Sequence, residues 1–171
     1  EEFFKNEAEM QAFSNTFYTA FPAEGLYNEQ ADNVIGTSLS DEVRGTRVVP
    51  TSGGGWSWTA LRNINTLLDY QENCTDINVR QRYVAVARFF RAYFYFDKVR
   101  NYGDVPWYSE VLNSDDKELL TQPRDSRQLV VDSILADLDF AIEHLSATRT
   151  PYEVNKWTAL ALKSRVCLFE G

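Results

Sequence analysis

The side chains best suited to chemistry cluster in one irregular stretch. Trp56 and Trp58 flank a serine directly after Gly53-Gly54-Gly55. An indole offers a broad apolar face with an N–H at its edge, a surface on which sugars and peptides stack. In an extended segment, residues two apart face the same side; a helix starting between them would part the rings. The pattern assigns Trp56 to a ligand face and Trp58 to a helix start that packs inward. Upstream, Asp41, Glu42, Arg44 and Arg47 form a charged cluster. Carboxylates and guanidinium groups make charge-assisted hydrogen bonds to hydroxyls, and arginine suits planar recognition. A solvated loop with internal salt bridges is the alternative reading. Arg62 and Asn63, just inside the following helix, are further polar candidates.

Elsewhere the charged residues read as structural. Arg88 and Arg91 interrupt a very apolar run and share a helix face. Buried charges need partners, so these two are expected to pair with acidic residues of neighbouring helices rather than bind an anion, and Asp97 to do the same. His144 is the only histidine, near a helix C-terminus, where the dipole favours its cation. Asp115 and Asp116 lie in a polar loop, and Asp137 and Asp139 diverge on a helix whose acidic residues face water. Neither pair is placed about a scissile bond as a glycosidase requires. One histidine and two cysteines supply neither a metal site nor a Ser-His-Asp triad. No cofactor is implied, and the glycine triplet lacks the Gly-Lys-Ser/Thr of a phosphate loop. Cys74 and Cys167 are expected to be unpaired, Cys167 as a small buried hydrophobe.

Composition narrows the classes. The chain has 171 residues, enough for one domain or slightly more. With 44% hydrophobic and 25% charged residues it is ordinary globular material. A formal net charge of −8 repels phosphate backbones, which argues against nucleic acid as a partner. Aromatic residues reach 14%, and they serve either a core or a binding surface. The sequence begins Glu1-Glu2-Phe3-Phe4, without initiator Met or leader, and ends at Gly171 just after an apolar helical pattern. A fragment of a longer protein is expected.

Five helices must position these residues. The first is predicted from Glu7 to Phe21, capped by Asn6 with Glu9 completing a capping box, and with Met10, Phe13 and Phe17 on one stripe. Residues 23–57 read as an irregular loop punctuated by Gly36, Gly45, Pro50 and the glycine triplet, a length that is often functional. The second helix spans Trp58 to Gln71. The third starts after Asn78, with Gln81 in a capping box, and runs to Asn101. It is apolar around nearly its whole circumference, which predicts burial on most sides. Gly103 suits a left-handed stop, and Trp107 to Val111 looks extended. Asn113 to Gln122 reads as a polar loop. Asp125 is expected to cap the fourth helix, with Val130, Ile134, Leu138, Ala141 and Leu145 as its stripe. Asn155 is expected to cap the last, with Trp157, Leu160, Ala161, Ser164 and Leu168 on one side. An all-α array of antiparallel hairpins follows, tetratricopeptide-like but without a strict repeat.

These residues carry a family resemblance. The run Ala87-Arg88-Phe89-Phe90-Arg91-Ala92-Tyr93-Phe94-Tyr95-Phe96-Asp97, followed by Val99-Arg100-Asn101-Tyr102-Gly103-Asp104-Val105-Pro106, resembles the SusD/RagB family. So do Ile134-Leu135-Ala136-Asp137-Leu138-Asp139-Phe140-Ala141-Ile142, the segment Asn155 to Val166, and Trp58 with Ile64-Asn65. The resemblance implies a SusD-like helical fold with tetratricopeptide-like hairpins, of which residues 1–171 are the N-terminal portion. It implies a non-catalytic surface lipoprotein of a Gram-negative outer membrane. Such a protein binds oligosaccharides, or peptides in some branches, and delivers them to a SusC-like TonB-dependent transporter. Some polar ligand contacts of the family fall in this part of the chain. The expected ligand-binding residues are therefore Asp41, Arg44, Trp56, Trp58 and Asn63. The alternative is a tetratricopeptide-like interaction scaffold without a small-molecule ligand; a helical enzyme acting on sugars lacks any supporting constellation.

Overall fold

Asn6 starts the first helix as its sequence predicts. Its Oδ1 accepts the Glu9 N–H at 3.1 Å, and the Glu9 carboxylate turns back to the Lys5 N–H at 3.0 Å. The computed structural model describes residues 3–22, 38–49, 51, 54–113 and 115–171. Within them lie α1 (Glu7–Ser14), α2 (Asp41–Arg44), α3 (Thr59–Tyr70), α4 (Ile77–Tyr102), α5 (Lys117–Leu120), α6 (Arg127–His144) and α7 (Lys156–Glu170). Two compact units are formed, one by Glu1–Ala20 with Thr59–Gly171 and the other by Phe21–Trp58. Gly36, Pro50 and Gly53 of the long loop lie outside the described residues.

Several boundaries depart from the sequence pattern for local reasons. The first helix tightens into a 3-10 segment over Asn15–Ala20. Three hydroxyls account for it: Ser14, Thr16 and Thr19 each donate to the carbonyl three residues back, at 3.1, 2.7 and 2.8 Å. Asp76, not Asn78, caps α4, its Oδ1 accepting the Asn78 and Val79 N–H groups. Ser126, not Asp125, caps α6; the Asp125 carboxylate is drawn away to accept the Trp107 N–H at 2.7 Å. Four-residue helices, α2 and α5, sit in stretches read as loop. Asn155 does cap α7, in a reciprocal capping box with Thr158.

In the larger unit α4 is the central element, packed by α6, α3, α1 and α7. Phe89, Phe90, Ala92 and Tyr95 are fully enclosed, which explains the near-continuous apolar sequence of this helix. Phe90 meets the rings of Phe17, Tyr18 and Phe89 edge to face. The predicted α6 stripe of Val130, Ile134, Leu138, Ala141 and Leu145 is buried throughout. Arg127 at the start of α6 pairs with Glu170 at the end of α7 at 2.9 Å, and Lys163 pairs with Asp139, so the two helices run antiparallel.

Asp137 corrects the expectation that the acidic residues of α6 face water. It is 1% exposed. Its carboxylate accepts from Arg88 Nε at 2.7 Å and from Arg91 Nε and Nη2 at 2.6 and 2.9 Å. Asp137 is thus the acidic partner expected for the two arginines. Asp97 makes no such pair: it is exposed, and its Oδ1 accepts from Asn101 Nδ2 at 3.1 Å. The two cysteines are free, but their surroundings are the reverse of those expected for Cys167, which is exposed while Cys74 is buried. The α7 face of Trp157, Leu160 and Leu168 is likewise exposed, Leu168 to 80%; Ala159, Leu162 and Val166 face the core instead.

The chain leaves α4 through Gly103, whose φ of 70° is a left-handed conformation that favours glycine. The segment after it is fastened by polar groups. Tyr95 accepts the Tyr108 N–H at 2.7 Å, and its ring stacks on Trp107 with centroids 4.2 Å apart. Asn65 of α3 donates to the carbonyls of Tyr108 and Glu110 at 3.1 and 2.9 Å. Asp69 accepts the Val111 N–H at 2.8 Å, and Arg62 donates to the Leu112 carbonyl at 3.0 Å. Residues 107–112 lie along α3 outside any helix, and the extended run expected for Trp107 to Val111 is interrupted by a bend at Glu110.

Two outcomes follow from this packing. Asp137→Ala leaves two arginines facing a buried gap and is expected to cost about 3–5 kcal/mol in urea unfolding. A loss under about 1 kcal/mol would mean that the cluster contributes little to stability. Burial holds the Tyr95 phenol well above its ordinary range. The unfolded phenol releases its proton near pH ~10 while the native one keeps it, so the native state binds more protons there. Stability is therefore expected to fall as pH rises above about 10. In a phenolate absorbance titration Tyr95 should ionise only as the protein unfolds.

Candidate functional site

Gly54 and Gly55 turn the backbone with φ of 54° and 81°, and the Ser57 N–H closes on the Gly55 carbonyl at 2.9 Å. Both angles are in the region that a Cβ disfavours. This turn delivers Trp56 and Trp58 before α3 begins at Thr59, so no helix intervenes between the indoles. Their centroids are 5.1 Å apart at an interplanar angle of 77°, an edge-to-face pair. Trp56 is 39% exposed, whereas Trp58 is only partly accessible. Trp56 is the more exposed of the two, as expected, but Trp58, expected to start the helix and pack in the core, precedes α3 and stays partly accessible. Edge-to-face contact sets one ring against the other and restrains the orientation of the exposed indole face.

The charged cluster of the same unit is organised by α2. Ser40 caps it, and Gly45 ends it with φ of 70°. Asp41 is committed locally: its Oδ1 accepts from Thr46 Oγ1 at 3.0 Å. Glu42 and Arg47 form an exposed ion pair at 3.5 Å. That part of the cluster follows the internally bridged reading. Arg44 differs. It is exposed, and no hydrogen bond or ion pair engages its guanidinium among the described residues. Its five donors are available to hydroxyl or carboxylate oxygens.

Asn63 belongs to the larger unit, on the exposed side of α3. Its neighbour Arg62 is occupied by the Leu112 carbonyl and drops from the candidates. The structure brings Trp56 and Trp58 into contact, and leaves Arg44 and Asn63 as exposed polar groups. Asn65, two residues further on, was not singled out chemically by the sequence; the amide of a helix residue with no apolar excuse for burial was the available signal.

A protein-family model described as starch-binding, associating with the outer membrane, matches residues 4–158. The chain belongs to this SusD-like family. A SusD-like protein of Formosa agariphila is 34% identical over 90 residues, which is 52% of this chain and 17% of the relative. The crystal structure of a SusD-like protein of Bacteroides fragilis is similar at a TM-score of 0.79 and 25% identity, over 99% of this SusD-like chain and 36% of its own. A laminarin-binding SusD-like protein gives a TM-score of 0.60 at 23% identity, over 66% of this chain and 25% of its own. This SusD-like chain thus spans a minor part of the relatives' length, and the all-helical fold expected from sequence is the one they share.

Because Arg44 and Asn63 are exposed and their side chains make no hydrogen bond or ion pair among the described residues, Arg44→Ala and Asn63→Ala are each expected to shift stability by less than about 0.5 kcal/mol in urea unfolding. A larger loss would assign them a structural role and remove them as ligand contacts.

Proposed function

We propose that this chain forms part of a non-catalytic carbohydrate-binding protein of the bacterial outer membrane. The observation that supports it most is the half-exposed Trp56 ring, held edge to face by Trp58 in a glycine-rich turn, within a family described as starch-binding. The indole supplies an apolar platform for a sugar ring, while Arg44 of the same unit supplies hydrogen-bond donors to hydroxyls. Nothing in this arrangement calls for a covalent step. Recognition rests on stacking and on charge-assisted bonds, and the ligand leaves unaltered. In the same reading the protein is held at the cell surface by a lipid anchor outside this chain and passes its oligosaccharide to a SusC-like TonB-dependent transporter.

The interaction-scaffold reading is favoured by one observation of its own: Trp157, Leu160 and Leu168 expose an apolar α7 face, as protein-docking surfaces do. The two readings are compatible in a protein that docks against a transporter.

Calorimetry on the full chain with starch- and laminarin-derived oligosaccharides tests the proposal. Saturable binding to at least one glycan is expected, weakened by about tenfold or more, or ~1.4 kcal/mol, in Trp56→Ala. Unchanged affinity in that variant would remove the indole from the site. Cleavage of any glycan would overturn the non-catalytic reading.

A further inference from the structure

The larger unit contains a cavity that the tryptophan site does not use. It opens between the C-terminal turns of α1, the first turns of α4 and the loop joining α6 to α7, and encloses about 320 Å³. That volume is at the small end for ligand pockets. All of its lining residues lie in Glu1–Ala20 or Thr59–Gly171, whereas Trp56 and Trp58 lie in the other unit.

Three features define the ligand it suits. Its apolar wall is Val86, Leu145 and Val154, all buried, with the ring of Tyr83 beside them. Its charges are already matched: Arg82 bonds to Glu7 at 3.0 Å and to Glu153 at 3.3 Å. One cation between two carboxylates leaves a local excess of negative charge, which disfavours phosphate, sulfate or carboxylate ligands. The third feature is the mouth. Gln11, Asn15, Thr148 and Thr150 line it, exposed, and among the described residues their side-chain amides and hydroxyls have no hydrogen-bond partner. Each of these groups both donates and accepts.

Groups that donate and accept at once, set around a small apolar wall whose one lining cation, Arg82, is already paired, match a ring of vicinal hydroxyls. Every sugar hydroxyl likewise donates and accepts, and the C–H face of the ring is apolar. Tyr18 lines the same cavity, its oxygen accepting the Val154 N–H at 3.0 Å. We propose that this cavity is a separate binding site for a neutral polyhydroxylated ligand, a single sugar ring or a polyol of that size. It rests on different residues from the tryptophan site and holds whether or not Trp56 contacts a glycan.

Backbone-resolved NMR on the full chain tests it. The probes are glucose, galactose, mannose and xylose, each raised to about 50 mM to reach weak affinities, with inorganic phosphate as the anionic comparison. The expected result is saturable shifts at the amides of Asn15, Ser146, Thr148 and Asn155 with at least one sugar. The double variant Asn15→Ala/Thr148→Val should weaken that binding by about tenfold or more. Both positions are exposed, and retained dispersion in the variant's spectrum confirms its fold. The indole N–H signals of Trp56 and Trp58 report the other site in the same spectra, so failure at one site is read separately from failure at the other. The proposal is overturned if no sugar moves the cavity amides, if phosphate alone moves them, or if the double variant binds unchanged.

Discussion

One carboxylate, Asp137, governs how the larger unit assembles. Removing an ion of that size from water costs several kcal/mol, and only close, well-directed partners offset it. Arg88 and Arg91 provide three bonds of 2.6–2.9 Å from one face of α4. An interface of Phe, Val and Leu tolerates small rotations and slides; a carboxylate held by two guanidinium groups tolerates far less. The register of α6 on α4 follows from this geometry. The same arginines reach further. Arg91 also donates to the Ser109 carbonyl at 3.3 Å and sits over the Trp107 ring, while Arg88 sits over Phe140. A single buried charge therefore ties together α4, α6 and the irregular segment after α4.

That segment carries the order onward to α3. Gly103 turns the chain, Asp104 accepts the Arg127 N–H at the start of α6 at 2.8 Å, and Asp125 holds the Trp107 N–H. Tyr95 receives the Tyr108 N–H from the side of α4. On the other edge Asn65, Asp69 and Arg62 take up the remaining backbone groups of residues 108–112. Where this irregular segment is half-buried, these bonds supply partners that no secondary structure provides for its N–H and C=O groups. The side chains of Asn65, Asp69 and Arg62 on α3 are thus engaged by backbone groups of this segment.

The division of labour between elements suits a binding protein. Helices stabilised by buried aromatics and a buried ion cluster form the scaffold. The groups we propose for recognition sit on a glycine turn, a four-residue helix and the loop between α6 and α7, where exposed donors and acceptors carry little structural duty. The two places differ in charge: Arg44 is unpaired among the described residues, whereas Arg82 is held by its two glutamates.

The helical architecture was legible in the sequence because apolar periodicity and capping residues are local signals. The stripe of α6, the all-round burial of α4, the caps at Asn6 and Asn155 and the glycine stop at Gly103 all follow from spacing alone. The aromatic pair was legible too, as two indoles beside glycine. Local spacing did not determine which of several neighbouring polar residues does which task. Asp125 and Ser126 are both good caps, and only the distant Trp107 N–H decided between them. Asp137 and Asp139 look alike on paper, but the arginines of α4 drew one inward and left the other to Lys163 at the surface. The cavity beside Arg82 was invisible for the same reason: its walls come from three parts of the chain far apart in sequence, and only packing brings them together.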